Sequence, residues 1–180
     1  MKLNKKISIW FTGYPASGKT TLAKKFKREL DKLEIPSIIF DGDQIRKLIF
    51  DNKSYDKKSR IKSALSYLKL AKIVLKAKLV LIVSTNHHTN KQRSLIKKNL
   101  KNNYLEIWIK TPLQVCMKRD PKMLYSKFKK GKIKNLVGGD LKFEKPTNSD
   151  LVIQTLKDKI PGQKKILSLL LKKKIIINEK

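Results

Sequence analysis

The stretch 8-SIWFTGYPASGKTTLAKKF-26 decides the fold of this chain. Its apolar start predicts a strand over Ile7 to Thr12, and apolar residues at helical spacing predict a helix over Lys19 to Leu33. Between them, 13-GYPASGKT-20 matches the pattern G-x-x-x-x-G-K-[ST] at every fixed position. The glycines let the backbone curl so that its N–H groups point at phosphate oxygens, and the helix N-terminus adds a favourable dipole. The sequence therefore predicts a loop that binds a nucleoside triphosphate.

Two side chains of this loop have predicted chemical roles. Lys19 reaches the β- and γ-phosphates, where its charge can assist catalysis, and the Thr20 hydroxyl is placed to ligate Mg²⁺. The flanking strand and helix are the context in which this pattern binds nucleotides; an incidental glycine turn is the alternative. The predicted nucleotide-binding residues are Gly13, Tyr14, Pro15, Ala16, Ser17, Gly18, Lys19, Thr20 and Thr21.

The rest of the chain alternates short apolar runs with longer amphipathic ones. Strands are predicted over 37–40, 79–84, 104–109 and 150–155, and helices over 57–77, 92–102, 112–119 and 160–174. A polar loop is expected after the second strand, and the lysine- and glycine-rich segment around 119–143 is expected to be a mobile lid. This alternation favours an α/β fold of the P-loop NTPase type: one domain over residues 1–180, with a parallel β-sheet sandwiched by helices.

Composition limits the classes of partner. The net charge of +30 attracts polyanions, but five of the 44 basic residues are arginines and the lysines are spread along the chain, so specific binding of nucleic acid is not expected. No apolar run approaches the roughly 20 residues of a membrane helix, and the apolar segment near the N-terminus is interpreted as a strand and not as a signal peptide. The single cysteine, Cys116, excludes an internal disulfide and suits a reducing cytoplasm.

A second candidate site follows the second strand, at 40-FDGDQIR-46. Asp43 can accept a proton from an attacking hydroxyl or help to hold Mg²⁺, and Arg46 can grip an anionic substrate with two hydrogen bonds. The alternative is an ordinary Asp-Gly turn with a helix-capping aspartate. Taken alone, these residues leave the two interpretations equally open.

The loop and this motif belong to a longer pattern. The run 116-CMKRDPKMLYSKFKKGKIKN-135 is followed by 138-GGD-140, 144-EKP-146 and 150-DLVIQT-155. From about residue 8 to 155, in order and spacing, the chain resembles the adenylylsulfate kinases. These enzymes transfer the γ-phosphate of ATP to the ribose 3′-hydroxyl of adenosine 5′-phosphosulfate (APS), which gives the 3′-phosphorylated product (PAPS). The resemblance implies ATP and Mg²⁺ as cofactors, a nucleotide acceptor, a cytoplasmic enzyme and, as is frequent in this family, a homodimer.

The resemblance also implies roles for individual residues. Asp43 matches the catalytic aspartate, and Arg46 and Arg60 match two arginines that bind the acceptor. A closed lid excludes water, so that the phosphate passes to the acceptor and not to water. The positive charges of Lys19 and of the lid can neutralise negative charge on the transferring group. The alternative interpretation of the lid segment is a solvated, lysine-rich loop with no role in catalysis. The lid residues are Arg119, Asp120, Lys122, Tyr125 and Lys127.

The acceptor half of the pattern departs from the family. This chain has Tyr55 where the family usually has Phe, Ser63 where it has Asn, and Leu136 in place of a second phenylalanine that stacks on adenine. Tyr55 keeps one stacking face, whereas Leu136 offers apolar contact only, which is weaker by about 1 kcal/mol. The segment 84-STNHHTNKQR-93 replaces the family's F-I-S-P-Y-R, including a serine associated with a phosphorylated intermediate that direct in-line transfer does not need.

Two adjacent histidines in this segment, His87 and His88, lie at a predicted strand end that faces the altered pocket. They are expected either to be plain loop residues or to hydrogen-bond the acceptor, and a zinc site is not expected because no carboxylate or cysteine cluster accompanies them. The departures keep a second acceptor open: cytidine diphosphoramidate kinases of capsule modification resemble this family, and a pyrimidine needs less stacking surface. A basic nucleic-acid-binding ATPase is the third alternative.

Overall fold

The structure of the chain, a computed structural model, describes residues 1–49 and 57–178; of residues 46–49, 57 and 58 it describes the backbone alone. The main strands are β2 (Ser8–Thr12), β3 (Ser37–Asp41), β4 (Val80–Ser84), β5 (Tyr104–Ile109) and β6 (Leu151–Ile153). They form a five-stranded parallel sheet in the order β3-β4-β2-β5-β6. Two short strands, β1 (Lys2–Leu3) and β7 (Ile176–Ile177), form a separate antiparallel pair. The predicted parallel sheet is confirmed.

Helices cover both faces of the sheet. They are α1 (Lys19–Lys32), α2 (Gly42–Ile49), α3 (Lys57–Lys76), α4 (Asn90–Leu100), α5 (Leu113–Arg119), α6 (Leu124–Lys129) and α7 (Gly162–Lys172). Among the residues that the structure describes, no helix is long and apolar enough to cross a membrane. The strands and helices predicted from the sequence are present with shifted ends, and α2, α6, β1 and β7 are additional.

Alternate residues of the central strands face two different apolar cores. One core contains Ile9, Phe11 and Ile82 of the sheet, packed with α1 and α7. The other contains Trp10 and Val83, packed with α3 and α4. All five side chains are buried. A slip of one residue in a central strand would exchange the two cores, so burial on both faces fixes the register and with it the position of each strand's end.

Two segments that were expected to be loops each contain a short helix, and an aspartate that precedes the helix accepts hydrogen bonds from backbone N–H groups of its first turn. The Asp41 side chain accepts a hydrogen bond from the Asp43 backbone N–H (3.0 Å) in the first turn of α2. Asp120 accepts from the backbone N–H groups of Tyr125 (3.1 Å) and Ser126 (2.8 Å) at the start of α6. Such caps satisfy amides that have no partner within the helix. The sequence interpretation was wrong here because each helix is short and lies in a segment rich in polar and charged residues.

A buried ion pair joins α4 to the sheet. Arg93 Nε lies 2.9 Å from Glu106 Oε1, and the two side chains are 5% and 8% exposed. The same guanidinium donates to the backbone oxygens of His87 (2.7 Å) and Glu144 (2.6 Å). Arg93 therefore connects α4, β5, the loop after β4 and the segment that follows the lid.

We expect Arg93→Met to lower the free energy of unfolding by about 3–5 kcal/mol, because it leaves the buried Glu106 carboxylate without its partner. The double variant Arg93→Met/Glu106→Leu should regain much of this loss. Urea denaturation measures both, and Lys98→Met, at an exposed position of the same helix, is the control, expected within about 0.5 kcal/mol of wild type. A loss below about 1 kcal/mol in the single variant would contradict the role given to this pair.

Candidate active site

The phosphate-binding loop leaves β2 at the C-terminal edge of the sheet and enters α1. Gly13 has a φ of +148°, and a Cβ there would lie 2.6 Å from the Ile109 backbone oxygen, so the close approach of loop and β5 requires glycine. Gly18, with a φ of +99°, is the N-cap of α1. The Thr111 hydroxyl donates to the Ser17 backbone oxygen (2.9 Å). These contacts fix the loop against β5 and direct the N-terminus of α1 at a bound phosphate.

Lys19 is folded back into its own loop. Its Nζ donates to the backbone oxygens of Gly13 (3.0 Å) and Tyr14 (2.6 Å), and the residue is 9% exposed. Burial lowers its pKa to about 8, and the nearby Lys122 ammonium acts in the same direction, whereas the Asp43 carboxylate opposes them. The ammonium is therefore close to losing its proton just above neutral pH.

The Thr20 hydroxyl meets two other oxygen groups at the ends of neighbouring strands. It donates to Asp41 Oδ2 (2.8 Å) at the end of β3, and its oxygen lies 3.1 Å from Ser84 Oγ at the end of β4. Mg²⁺ prefers oxygen ligands, and it is usually held by one or two protein groups together with substrate phosphates and water. The residues present here fit the Mg²⁺ ion that the sequence predicts.

The sequence interpretation did not single out Asp41 and Ser84 as site residues. A signal existed for Asp41, because it directly follows the predicted strand 37–40, at the edge where ligands bind in parallel sheets. Ser84 also ends a strand, but its importance depends on which strand lies beside β2. That neighbour relationship is a property of the folded sheet.

Asp43 faces the lid from the second position of α2. Its carboxylate contacts the Lys122 Nζ, and both side chains are 57% exposed. Lys122, Asp43 and Asp41 all influence the pKa of Lys19. The structure thus brings the predicted base, the loop lysine and a predicted lid lysine into one site, although they are far apart in the sequence.

The lid packs on the phosphate-binding loop through a small apolar cluster. Tyr125 of α6 is buried with Cys116 and Leu136. Its hydroxyl donates to the Pro15 backbone oxygen (3.2 Å). Leu136, which was expected to contact the acceptor, is 7% exposed, so most of its side chain supports the lid from within.

The remaining predicted lid residues differ in their surroundings. Asp120 is the cap of α6 described above, and its Oδ2 also accepts from the Ser126 hydroxyl (2.9 Å). Arg119 and Lys127 are exposed. Their predicted contacts with nucleotides stay predictions.

The acceptor side of the site includes a buried arginine that reaches the lid. Arg60 is 7% exposed, and its Nη2 donates to the Asn135 backbone oxygen (2.7 Å). Ser63, three residues further along α3, is 5% exposed. Arg46 lies in α2 with its side chain outside the described part, and Tyr55 lies outside the described residues, so the roles given to these two stay predictions.

The two adjacent histidines have different surroundings. The His87 ring packs against Trp10 and Tyr67, with ring centroids 5.5 Å and 5.7 Å away, and its Nδ1 lies 2.6 Å from Thr85 Oγ1. It is a core residue. His88 is also buried, its backbone oxygen accepts from the Glu144 N–H (2.9 Å), and the charges of Arg60, Arg93 and Glu144 act on its ring.

We expect the affinity for a nucleoside triphosphate to fall as the pH rises above about 8, where Lys19 loses its proton. The bound phosphates favour the charged form of Lys19 and so raise its pKa in the complex. The affinity should therefore fall by up to about tenfold per pH unit until the pH reaches that higher pKa. Titration calorimetry with MgATP between about pH 7 and 9.5 measures this dependence. Lys25→Met, at an exposed lysine, is the control and should keep the wild-type slope of affinity against pH. Lys19→Met should flatten that slope. A wild-type affinity that stays constant over this pH range would contradict the prediction.

Comparison with known proteins agrees with this geometry. Residues 5–154 match the family described as adenylylsulphate kinase. The adenylyl-sulfate kinase of Buchnera aphidicola subsp. Acyrthosiphon pisum is 32% identical over 174 residues, which are 96% of this chain and 84% of that protein. The adenylyl-sulfate kinase of Bacteroides thetaiotaomicron is 35% identical over 152 residues, which are 84% of this chain and 76% of that protein.

Among solved structures, the chain is similar to the Mycobacterium tuberculosis APS kinase CysC in complex with AMPPNP and APS. The TM-score is 0.87 at 26% identity, and the match covers 92% of this chain and 98% of that one. The sequence match, the fold and the arrangement of the phosphate-binding loop lead to one conclusion: the chain belongs to the adenylylsulfate kinase family.

Proposed function

We propose that this protein transfers the γ-phosphate of ATP to the 3′-hydroxyl of APS, with Asp43 as the general base. The observation that carries the proposal is the position of the Asp43 carboxylate, which contacts Lys122 of the lid next to the phosphate-binding loop. A base at this point can receive the proton of a hydroxyl that attacks a phosphate held by the loop.

The donor half of the reaction uses the loop, α1 and the ends of two strands. Backbone N–H groups of the loop and the N-terminus of α1 bind the phosphates. Lys19 exchanges its hydrogen bonds to loop carbonyl oxygens for contacts with the phosphates. Thr20 and Asp41 are the groups that would hold Mg²⁺, with Ser84 beside them. Mg²⁺, when bound, neutralises phosphate charge and orients the transferring group.

The acceptor half combines a base, cations and a cover. Asp43 takes the proton as the acceptor oxygen forms its bond to phosphorus and the bond to the ADP oxygen breaks. Lys122, in contact with Asp43, places a cation near charge that develops on the transferring group. Arg60 and Arg46 hold the anionic end of the acceptor. The lid, packed on the loop through Tyr125, excludes water that would otherwise accept the phosphate.

We expect Asp43→Asn to lower the rate of PAPS formation by about 10²–10⁴-fold, the usual contribution of a general base. Binding of ATP should stay within about threefold, because the phosphate contacts lie on the loop and α1. A coupled ADP-release assay, with mass spectrometry of the product and calorimetry for ATP, measures both. Asp31→Asn, at an exposed position of α1, is the control.

The same assay tests the acceptor. APS and cytidine diphosphoramidate are offered separately to the wild-type protein, and we expect turnover with APS. Turnover with the cytidine compound alone would overturn APS as the acceptor. Activity of Asp43→Asn within about tenfold of wild type would overturn the role of Asp43 as base.

Asp41→Asn tests the proposed metal ligands. The amide keeps an oxygen but loses the charge, so the Mg²⁺ concentration for half-maximal activity should rise by about tenfold or more. Titration of Mg²⁺ at fixed ATP and APS measures the change, again with Asp31→Asn as control. An unchanged Mg²⁺ requirement would remove Asp41 from the metal site.

The proposal includes a single kinase domain that works in the cytoplasm as a homodimer. The family resemblance supports the dimer, and the single cysteine is compatible with a reducing compartment. Sedimentation of the purified protein measures the oligomeric state.

A further inference from the structure

The loop that joins β4 to α4, residues 85–89, is named here the edge loop because it lies at the C-terminal edge of the sheet. Two of its side chains carry buried polar atoms, Asn86 Oδ1 and His88 Nδ1, that make no hydrogen bond in the described part of the chain. Most buried polar atoms in proteins have a partner, because leaving one without a partner costs free energy. Two such atoms in one short loop at the ligand-binding edge indicate that the loop binds something else.

The edge loop is otherwise firmly held. The Glu144 backbone N–H donates to the His88 backbone oxygen (2.9 Å), and Arg93 holds the His87 backbone oxygen. Thr89 caps α4, with its hydroxyl accepting from the Gln92 backbone N–H (3.3 Å). The missing partners of Asn86 and His88 therefore do not result from a loosely placed loop.

The surroundings of His88 keep its ring uncharged. Burial, followed by the charge of Arg60, lowers the pKa of His88 to about 4; Arg93 acts in the same direction, and Glu144 opposes them. An arginine offers hydrogen-bond donors and no acceptor. A neutral imidazole on which the charges of Arg60 and Arg93 act therefore adds the acceptor nitrogen that the two guanidinium groups lack.

We propose that His88 is a specificity-determining residue of the acceptor pocket, whose Nδ1 accepts a hydrogen bond from an N–H or O–H group of the nucleotide acceptor. This inference rests on the proposed function, in which the acceptor is APS. The donors of APS are the amino group of adenine and the ribose hydroxyls, whereas its phosphate and sulfate oxygens only accept. The edge loop thus binds the nucleoside of the acceptor, and Arg60 binds its anionic end.

The lid provides a way for the acceptor to reach this buried nitrogen. Arg60, a charged neighbour of His88, donates to the Asn135 backbone oxygen of the lid. In this proposal the lid moves to admit the acceptor, which breaks this hydrogen bond and leaves the Arg60 side chain able to shift and open a path to the edge loop. Closure then traps the nucleoside against the ring.

Two substitutions at His88 separate hydrogen bonding from volume. His88→Leu replaces the ring with an apolar side chain of similar size and removes the acceptor nitrogen. We expect it to raise the KM for APS by about tenfold, the effect of one lost hydrogen bond, and to leave the KM for ATP unchanged. His88→Asn places an amide oxygen near the position of Nδ1, and its KM for APS should stay within about threefold of wild type.

Thermal unfolding of the ligand-free protein gives a second readout. His88→Leu removes a buried atom that has no partner, so its Tm should not fall and should rise by about 2–4 °C. His87→Leu is the matched control. It removes a ring that packs against Trp10 and Tyr67 and meets Thr85, so its Tm should fall. A merely structural role for His88 predicts the same fall at both positions.

Ring-¹⁵N NMR reports on the nitrogen itself. The chain has two histidines, and His87→Leu leaves the signals of His88 alone. Addition of APS should move the Nδ1 resonance of His88 in the direction of an accepted hydrogen bond, and addition of inorganic sulfate should not.

The outcomes separate the two proposals. Wild-type turnover of APS with the KM, Tm and NMR changes above supports both. Wild-type turnover with an unchanged KM for APS in His88→Leu overturns the inference and leaves the proposed function intact. Without wild-type turnover of APS the proposed function fails, and the NMR titration decides the inference: an unmoved His88 signal overturns it.

Discussion

The structure depends on the place of β2 in the middle of a parallel sheet, between β4 and β5. All five strands end at one edge, so the phosphate-binding loop emerges beside Asp41 and Ser84, which lie opposite each other in the register of β3 and β4. The two apolar cores hold this register, because a one-residue slip would exchange the buried faces. The Thr20 hydroxyl lies within hydrogen-bond distance of Asp41 Oδ2 and Ser84 Oγ, and this proximity is therefore a result of core packing.

Carboxylates organise the site of this very basic protein. The chain has 14 acidic and 44 basic residues, yet several acidic side chains at the site accept hydrogen bonds from backbone N–H groups. Asp120 caps α6, and Asp140 accepts from the N–H groups of Asn135 (2.8 Å) and Leu136 (2.7 Å), which shapes the turn that Arg60 contacts. Backbone N–H groups satisfy these carboxylates, and the surplus of lysines gives the protein a positive field that attracts anionic substrates.

The sequence was sufficient wherever backbone geometry determines the residue type. The phosphate-binding loop is an example, since Gly13 must allow a close approach to Ile109 that no side chain permits. Strand and helix positions followed from apolar periods. One part that could not be predicted depends on neighbours in space, because Ser84 matters only since β4 lies next to β2. The short helices α2 and α6 were missed for a different reason, because polar and charged residues dominate the segments that contain them. His87 and His88 are indistinguishable in the sequence, but one ring packs in the core, whereas the other carries a buried nitrogen that makes no hydrogen bond in the described part of the chain.

Asp41 uses both of its carboxylate oxygens, one for the Thr20 hydroxyl and the other for the first turn of the helix that carries Asp43. Any ligand that draws the first oxygen towards itself also moves the second, and with it the start of that helix. A ligand bound at Thr20 and Asp41 would therefore also act on the start of the helix that carries the predicted base. The shared carboxylate couples the expected metal position to the placement of the predicted base.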